Sequence, residues 1–384
     1  MAGARTRPRR SRPTEFEDVR GSAPERAPNV RVLAGFSAHA DCALAALGFA
    51  AGVDFDTLLG ETPYEAPFGM SPFAFARGQS FERSLAEEGY GPLLALLREH
   101  LGFDVADAKV VNLRAAYPRN RDGMRLRAHE TRTMLGDIAR RDPSAPNLID
   151  GAVLEAEIGG IVAHFEADSL AARFGGQIHT GEVKSFPVID GRCEPDKLGS
   201  ALDQAAIYTL LTARTVAAAG GDPGIVSPEA LLITPRNVGL RPTLSVIDVS
   251  RRMERTEMLL SRAPDIRELP PGTSFGPAAD RAAEPERRIE ALHGLADQVG
   301  TRYVSSCVTD CGLNRFCRSR SRACGSPGLV GEKGLRLLPG VASLDRAAEL
   351  AAGAPASMTE RPVAEQLTLA ARLYDRALHQ RGRQ

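Results

Sequence analysis

The pattern of apolar and polar positions changes character several times along the chain. Residues 1 to about 30 carry arginine, proline and serine with almost nothing apolar to bury, which predicts a disordered basic arm. From Val30 the sequence becomes apolar, and VRVLAGFSAHADCALAALGFAAG reads as a largely helical stretch that carries Cys42. SPFAFARGQSFERSLAEEGYGPLLALLREHLGF predicts one or two helices stopping at Gly102. DAKVVNLRAAY reads as a strand and MRLRAHETRTMLGDIARR as a helix before a proline-broken turn. Residues 145 to 190 then run in short apolar stretches punctuated by glycine, which predicts consecutive antiparallel strands. PDKLGSALDQAAIYTLLTARTVAAAGG is a helix with a glycine stop, PEALLITP and TLSVIDVS are strands, and a helix follows from about Arg251 to Ser261. APDIRELPPGTSFGPAADRAAEPE, rich in proline, glycine and alanine, reads as a linker.

The predicted organisation is a basic arm (1–30), a mixed α/β domain (31–263), a linker (264–286), a cysteine-rich segment (287–340) and a helical tail (341–384), with no internal repeat. A chain of 384 residues that is 43% hydrophobic can bury a sizeable core. Lys plus Arg and Asp plus Glu both total 48, so no global field draws the protein to nucleic acid or membrane. Phosphate binding must use local patches, and two suggest themselves: Arg119, Arg121, Arg125 and Arg127, and later Arg315, Arg318, Arg320 and Arg322. With 5% aromatic residues and no Trp, base stacking is a minor contributor. No run approaches the roughly 20 apolar residues of a membrane span, and the first residues lack the apolar centre of a secretory signal. A cytoplasmic protein without membrane contact is expected.

GGQIHTGEVKSFPVID sets Glu182 and Lys184 two residues apart on a predicted strand, where they share one face. Gly175-Gly176 would turn a hairpin that brings Asp168 opposite Glu182, within one residue of register. Two carboxylates converging from neighbouring strands suit Mg²⁺ or Mn²⁺, and a lysine beside them orients water and offsets phosphate charge. On the following helix Gln204 and Tyr208 lie at i and i+4, one face, where packing in the apolar stripe is the plain alternative. A second acid-x-Lys triplet, Asp107-Ala-Lys109, has no such hairpin partner and is set aside.

Asp168, Glu182-Val-Lys184 and QAAIY at Gln204 to Tyr208, in that order, resemble the RecB-type branch of the PD-(D/E)XK nuclease superfamily over roughly residues 75 to 250. The resemblance implies a restriction-endonuclease-like core, a central mixed sheet flanked by helices. It also implies DNA as substrate, and a helicase or defence-system protein as partner. By this analogy Asp168, Glu182 and the Val183 carbonyl bind the metal and Lys184 activates water, while Gln204 and Tyr208 orient the site or touch the DNA strand. A preceding helix supplies one more ligand in this family. Glu82 in ARGQSFERSL is preferred to His129 in RLRAHETRTML, because a carboxylate suits Mg²⁺ better. The alternative from another class is a nucleic-acid-binding or scaffolding protein that keeps the nuclease fold and a structural metal but does not cleave.

Four of the six cysteines crowd one segment, Cys307-x3-Cys311-x5-Cys317-x6-Cys324. In a reducing compartment such crowding argues for a metal or cluster. Zinc sites favour two tight pairs, and only one short gap exists; iron-sulfur clusters tolerate ligands remote in sequence, so both remain open with the cluster preferred. The iron-sulfur RecB-like nucleases, among them a CRISPR-associated group and the AddAB nuclease subunit, use one cysteine before the core and three after it. That pattern implies a 4Fe–4S cluster on Cys42, Cys307, Cys311 and Cys317. The x3 gap departs from the family's x2, which leaves Cys324 as a substitute ligand; Cys193 has no companions and is a bystander.

Overall fold

Short β-branched runs bounded by glycine, proline and asparagine produce eight named strands: β1 (Val110–Asn112), β2 (Leu148–Asp150), β3 (Val153–Ile158), β4 (Ile161–Glu166), β5 (Ser169–Phe174), β6 (Gln177–Val183), β7 (Glu229–Pro235) and β8 (Pro242–Asp248). The computed structural model describes residues 15–26, 30, 33–34, 41–65, 72–102, 108–118, 120–158, 161–174, 176–237, 239–261, 265–304 and 307–381. The helices that matter below are α1 (Phe16–Arg20), α2 (Ala43–Ala50), α4 (Pro72–Leu101) with the single turn α3 (Phe55–Leu58) before it, α5 (Leu113–Ala116), α6 (Arg121–Ala139), α7 (Pro195–Ala218) and α8 (Ser250–Ser261). The C-terminal part adds α9 (Gly276–Ala279), α10 (Pro285–Val299), α11 (Cys307–Asp310) and α12 (Asn314–Ala323). Among the described residues no helix is long and apolar enough to cross a membrane.

The protein is mixed α/β, with a six-stranded mixed sheet in the order β1-β2-β5-β6-β7-β8 and a separate two-stranded ribbon, β3-β4. β1 with β2 and β6 with β7 are parallel, and the other sheet pairs are antiparallel. The sequence alone suggested that strands after β2 would pair one after another. Instead β2 pairs with β5, Leu148 opposite Ala171 and Asp150 opposite Ser169, while β3 pairs with β4, Val153 opposite Glu166 and Ile158 opposite Ile161. Both ladders keep a single register. The Gly151 amide donates to the Asp168 carbonyl (3.2 Å) and the Ala167 amide to the Ala152 carbonyl (2.8 Å), bridging the gap between them. β2-β3 and β4-β5 are therefore one long hairpin, bent at Gly151 and Asp168. One half lies in the sheet and the other leaves it as a separate ribbon packed against α6 and α7.

The bend needs its glycine. Gly151 takes φ +66°, and a Cβ there would lie 2.3 Å from Arg114 Cγ and 2.6 Å from Arg127 Nη2.

Strand alternation distributes the sheet between two cores. Leu148, Ala171, Leu231, Ile233 and Leu244 meet Phe81, Leu85, Leu93 and Leu97 of α4 on one face. Ile149, Leu170 and Ile178 join Leu135 and Ile138 of α6 and Ile207 and Leu211 of α7 on the other. α4, read as one or two helices, is a helix broken at Glu87–Tyr90, where Glu88, Gly89 and Tyr90 are all left-handed (φ 51°, 66° and 70°). Such a conformation costs roughly 1–2 kcal/mol at each non-glycine residue, so packing holds it.

DAKVVNLRAAY is strand for only three residues, because the Asn112 side chain accepts from the Ala115 amide (2.8 Å) and caps α5. Two predicted boundaries also shift. Residues 15–26, expected in a disordered arm, contain α1, and Val19 is fully buried. The segment expected to be a linker is folded onto it: the Phe275 amide donates to the Val19 carbonyl (2.8 Å), and Phe275, with no exposed surface, packs its ring 5.9 Å from that of Phe55. Arg288, also buried, donates to the Ala278, Gly60 and Leu58 carbonyls. The proline and glycine content marked irregular backbone, and the apolar side chains at 19, 275 and 278 decided that it packs. Residues 1–14 lie outside the described residues.

Because Phe275 is a core residue, Phe275→Ala is expected to lower the unfolding free energy by about 3–5 kcal/mol in denaturant melts, whereas truncating a linker side chain would leave it unchanged.

Candidate functional site

The β5-β6 hairpin pairs Ser169 with Gly181 and Ala172 with Ile178, so its register continues to Asp168 opposite Glu182. The turn carries a register shift between Ala172 and Phe174, with Phe174 opposite Gln177; Gly175 lies outside the described residues. The strands approach closely, since a Cβ on Gly181 would fall 2.1 Å from Ser169 Oγ. Across this contact the Val183 amide donates to Asp168 Oδ2 (2.8 Å).

The predicted residues fall into two groups, those that line a cleft and those bonded to one another outside its lining. Glu82, Asp168 and Val183 line one cleft of about 490 Å³, with Tyr90, Asn112, Arg114 and Asp150. Outside that lining Glu182, 1% exposed, is ion-paired with Lys184, whose Nζ donates to Gln204 Oε1 (3.1 Å); Gln204 Nε2 in turn donates to Ser200 Oγ (3.2 Å). Tyr208 is buried and its hydroxyl donates to the Glu166 carbonyl (2.6 Å). Burial, then the negative charges of Glu182, Asp168 and Glu166, push the Tyr208 phenol well above its ordinary range, so it acts only as a neutral donor. His129, the other candidate ligand, is exposed on α6 and outside the cleft lining.

Several participants were not singled out from the sequence. Arg114, on α5, reaches into the cleft: Nε donates to Glu166 Oε1 (2.7 Å), Nη2 to Asp168 Oδ1 (3.1 Å) and Nη1 to Glu82 Oε2 (3.4 Å), with Asp150 Oδ1 at 3.7 Å. Burial works against its charge, but Asp150, Asp168, Glu166 and Glu82 outweigh it and raise its pKa further. Arg127 was read as part of an exposed phosphate-binding patch. It is 1% exposed and instead bonds the Gly151 carbonyl and Glu166, because the ribbon folds over that face of α6. In the same patch Arg125 is exposed, and Arg119 lies outside the described residues.

Tyr90, driven inward by the left-handed break in α4, donates to Asp150 Oδ2 (2.7 Å) and accepts from Asn112 Nδ2 (2.6 Å). Burial raises the Asp150 pKa above the ordinary carboxylate value, opposed by Arg114 and the Tyr90 hydrogen bond. Four carboxylates, Glu82, Asp150, Glu166 and Asp168, thus face two guanidiniums. Arg83 also lines the cleft, so when all are ionised four carboxylates stand against three guanidiniums, a formal surplus of one negative charge that a hard divalent cation complements. Glu166 was visible as an acid two residues before Asp168, and Asp150 as one ending a strand before a glycine. Nothing in the sequence pointed to Arg114.

The cysteines separate cleanly. Cys42, Cys307, Cys311 and Cys317 are buried in one core cluster, while Cys324 is exposed and bonded to its own helix, its Sγ 3.6 Å from the Ser321 carbonyl. Cys193 is half-buried, apart from them. Two backbone amides point at the thiols, Arg302 N–H at Cys42 Sγ (3.4 Å) and Val304 N–H at Cys307 Sγ (3.5 Å). Burial pushes the Cys307 thiol up to about 11, and it raises Cys311 and Cys317 too, each raised further by neighbouring cysteines in the cluster. Among the described residues no three His, Cys, Asp or Glu side chains surround a common point at ligating distance. Of the arginines interleaved with the cysteines, Arg315, Arg318 and Arg322 are exposed, and Arg320 turns to Asp297 (2.5 Å) and His293 (2.8 Å).

In comparisons with known proteins, no family model matches the chain and no curated protein is found similar to it.

Thiolates are the reactive form, and raising a pKa to about 11 cuts the Cys307 thiolate fraction at pH 8 roughly 100-fold against a free thiol. In metal-free protein, mass-spectrometric alkylation at pH 8 is expected to modify the exposed Cys324 well before the buried Cys307, whose labelling should speed up as pH rises toward 11.

Proposed function

We propose that the chain is a metal-dependent DNA nuclease of the RecB-like PD-(D/E)XK kind, with a restriction-endonuclease-like core and a 4Fe–4S cluster. The observation that carries this reading is the β5-β6 register, which brings Asp168 and the Glu182–Lys184 pair to neighbouring central strands, with Gln204 on the lysine and Glu82 across the cleft. The donor set suits Mg²⁺ or Mn²⁺. Asp168 and Glu82 bring carboxylates to one cleft that Val183 also lines, and its carbonyl is a further hard oxygen; Glu182 is outside that lining, buried and ion-paired with Lys184, and Arg114 already stands among the carboxylates as a cation. Bound there, the ion supplies Lewis-acid polarisation of a phosphate oxygen.

The remaining roles belong to the chain. Lys184, held between Glu182 and Gln204, orients the attacking water and offsets charge developing on the phosphate oxygens. The water oxygen bonds to phosphorus and gives up a proton to solvent as the ester P–O bond breaks, and the leaving oxygen takes a proton from solvent. Gln204 fixes the lysine, and Tyr208 fixes the Glu166 backbone two residues before Asp168. Arg315, Arg318 and Arg322 offer an exposed basic face to the DNA backbone.

Cys42, Cys307, Cys311 and Cys317 fit a cluster as four buried thiols of one core, from segments more than 260 residues apart. Zinc is the lesser alternative on the same four.

With labelled single- and double-stranded DNA in Mn²⁺, anaerobically purified wild type is expected to cut. Lys184→Ala should lose about 100-fold or more of that activity while it stays folded and keeps its iron. Unchanged cleavage in the variant overturns the reading, and tight DNA binding without any cleavage moves the protein to the non-cleaving class. Separately, Cys317→Ser is expected to lose the cluster's visible absorption and its iron, whereas Cys193→Ser and Cys324→Ser keep both; stoichiometric zinc in wild type would replace the cluster assignment.

A further inference from the structure

The Arg114 guanidinium touches carboxylates carried by four separate pieces of the fold: Glu82 on α4, Asp150 at the end of β2, Glu166 at the end of β4 and Asp168 before β5. It stands where these charges converge, and two of its contacts, Asp168 and Glu82, are the oxygens assigned above to the metal. A divalent ion and a guanidinium a few ångströms apart repel strongly in a partly buried site. Both cannot keep the same two carboxylates.

We propose that Arg114 is an internal counter-ion that closes the cleft in the metal-free protein and must release Asp168 and Glu82 before a divalent cation binds. The inference rests on the nuclease reading and deepens it. The fold provides a pivot for the release. Nε is held by Glu166 at 2.7 Å, and Arg127 holds the same carboxylate from the other side, so Arg114 swings its two Nη groups away while keeping its anchor. α5, only four residues long and capped by Asn112, carries Arg114 at the rim of the cleft. The released Nη groups are charged donors with bidentate geometry, which suits a phosphate oxygen pair. DNA and metal binding are therefore coupled: a phosphate that draws Arg114 off the carboxylates tightens metal binding, and by linkage the metal tightens DNA binding. Arg114 is a positioning residue in this scheme.

The test is Mn²⁺ affinity without DNA, measured by titration calorimetry on the full-length wild type, Arg114→Gln, Arg114→Lys and Asp168→Asn, with melting temperatures in EDTA as the folding control. Arg114→Gln is expected to bind Mn²⁺ ~10-fold or more tightly than wild type and to show a larger Mn²⁺-induced rise in melting temperature, after starting lower in EDTA. Arg114→Lys keeps the charge but not the fork, and its affinity should fall between the two; it carries the test if the glutamine variant does not fold. Affinity equal to or weaker than wild type in the folded variants overturns the inference. If wild type still cuts DNA and its Mn²⁺ binding still depends on Asp168, only the Arg114 inference has failed. If no protein shows Asp168-dependent Mn²⁺ binding, the nuclease reading fails and takes the inference with it.

Discussion

Gathering like charges in a half-buried cleft is the demand around which this fold is arranged. Glu82, Asp150, Glu166 and Asp168 repel one another, and the repulsion grows as water is excluded. Arg114 and Arg127 make the arrangement tolerable, and their reach explains local features that otherwise look arbitrary. Gly151 must lack a side chain because both arginines cross over it. The long hairpin must bend there, so that Asp150 and Asp168 end their strands at the cleft. The α4 break must turn Tyr90 inward, because Asp150 accepts its hydroxyl. A buried ion network of this kind is weak evidence of stability.

The sequence revealed the parts of this site that obey a local period. Glu182 and Lys184 on one strand face, Gln204 and Tyr208 on one helix face, and Asp168 opposite Glu182 all follow from alternation and a glycine-rich turn. The chemistry of its carboxylate favoured Glu82 over His129, and of the two only Glu82 lines the cleft. What stayed hidden depends on tertiary approach. Arg114 sits on a four-residue helix inside a segment that reads as strand, and only the three-dimensional path of β2 and β4 carries acids to it. Arg127 looked like one more surface arginine until the ribbon covered it. At the level of the fold, the mixed sheet and flanking helices were legible. The pairing of β2 with β5 was not, because a single left-handed glycine reroutes a ladder whose register is otherwise continuous.

The boundaries failed for a related reason. Proline and glycine in residues 265–286 signal irregular backbone, and irregular backbone can still pack when a few apolar side chains find a surface. Phe275 and Ala278 find α1 and the Phe55 ring. Near the buried thiols the two ends of the chain also meet: the Leu44 amide at the start of α2 donates to the Gly300 carbonyl just past the end of α10 (3.0 Å), close in sequence to Cys42. Early and late parts of the chain thus share one helical body, and the thiol cluster lies inside it.

That sharing fixes an order of events during synthesis. Ser22 bonds to Gly276 and Ser274 to Asp18, contacts separated by 254 and 256 residues. At translation speeds of about 5–20 residues per second, α1 leaves the ribosome tens of seconds before the strand of chain that covers Val19 exists. Cys42 waits longer still for Cys307. During that interval the N-terminal apolar surface and a lone thiol are exposed to the cell, while the sheet has all of its strands by residue 248 and can close first. The helical body forms after the sheet, so a nascent chain that stalls before residue 275 presents a finished cleft on an unfinished protein.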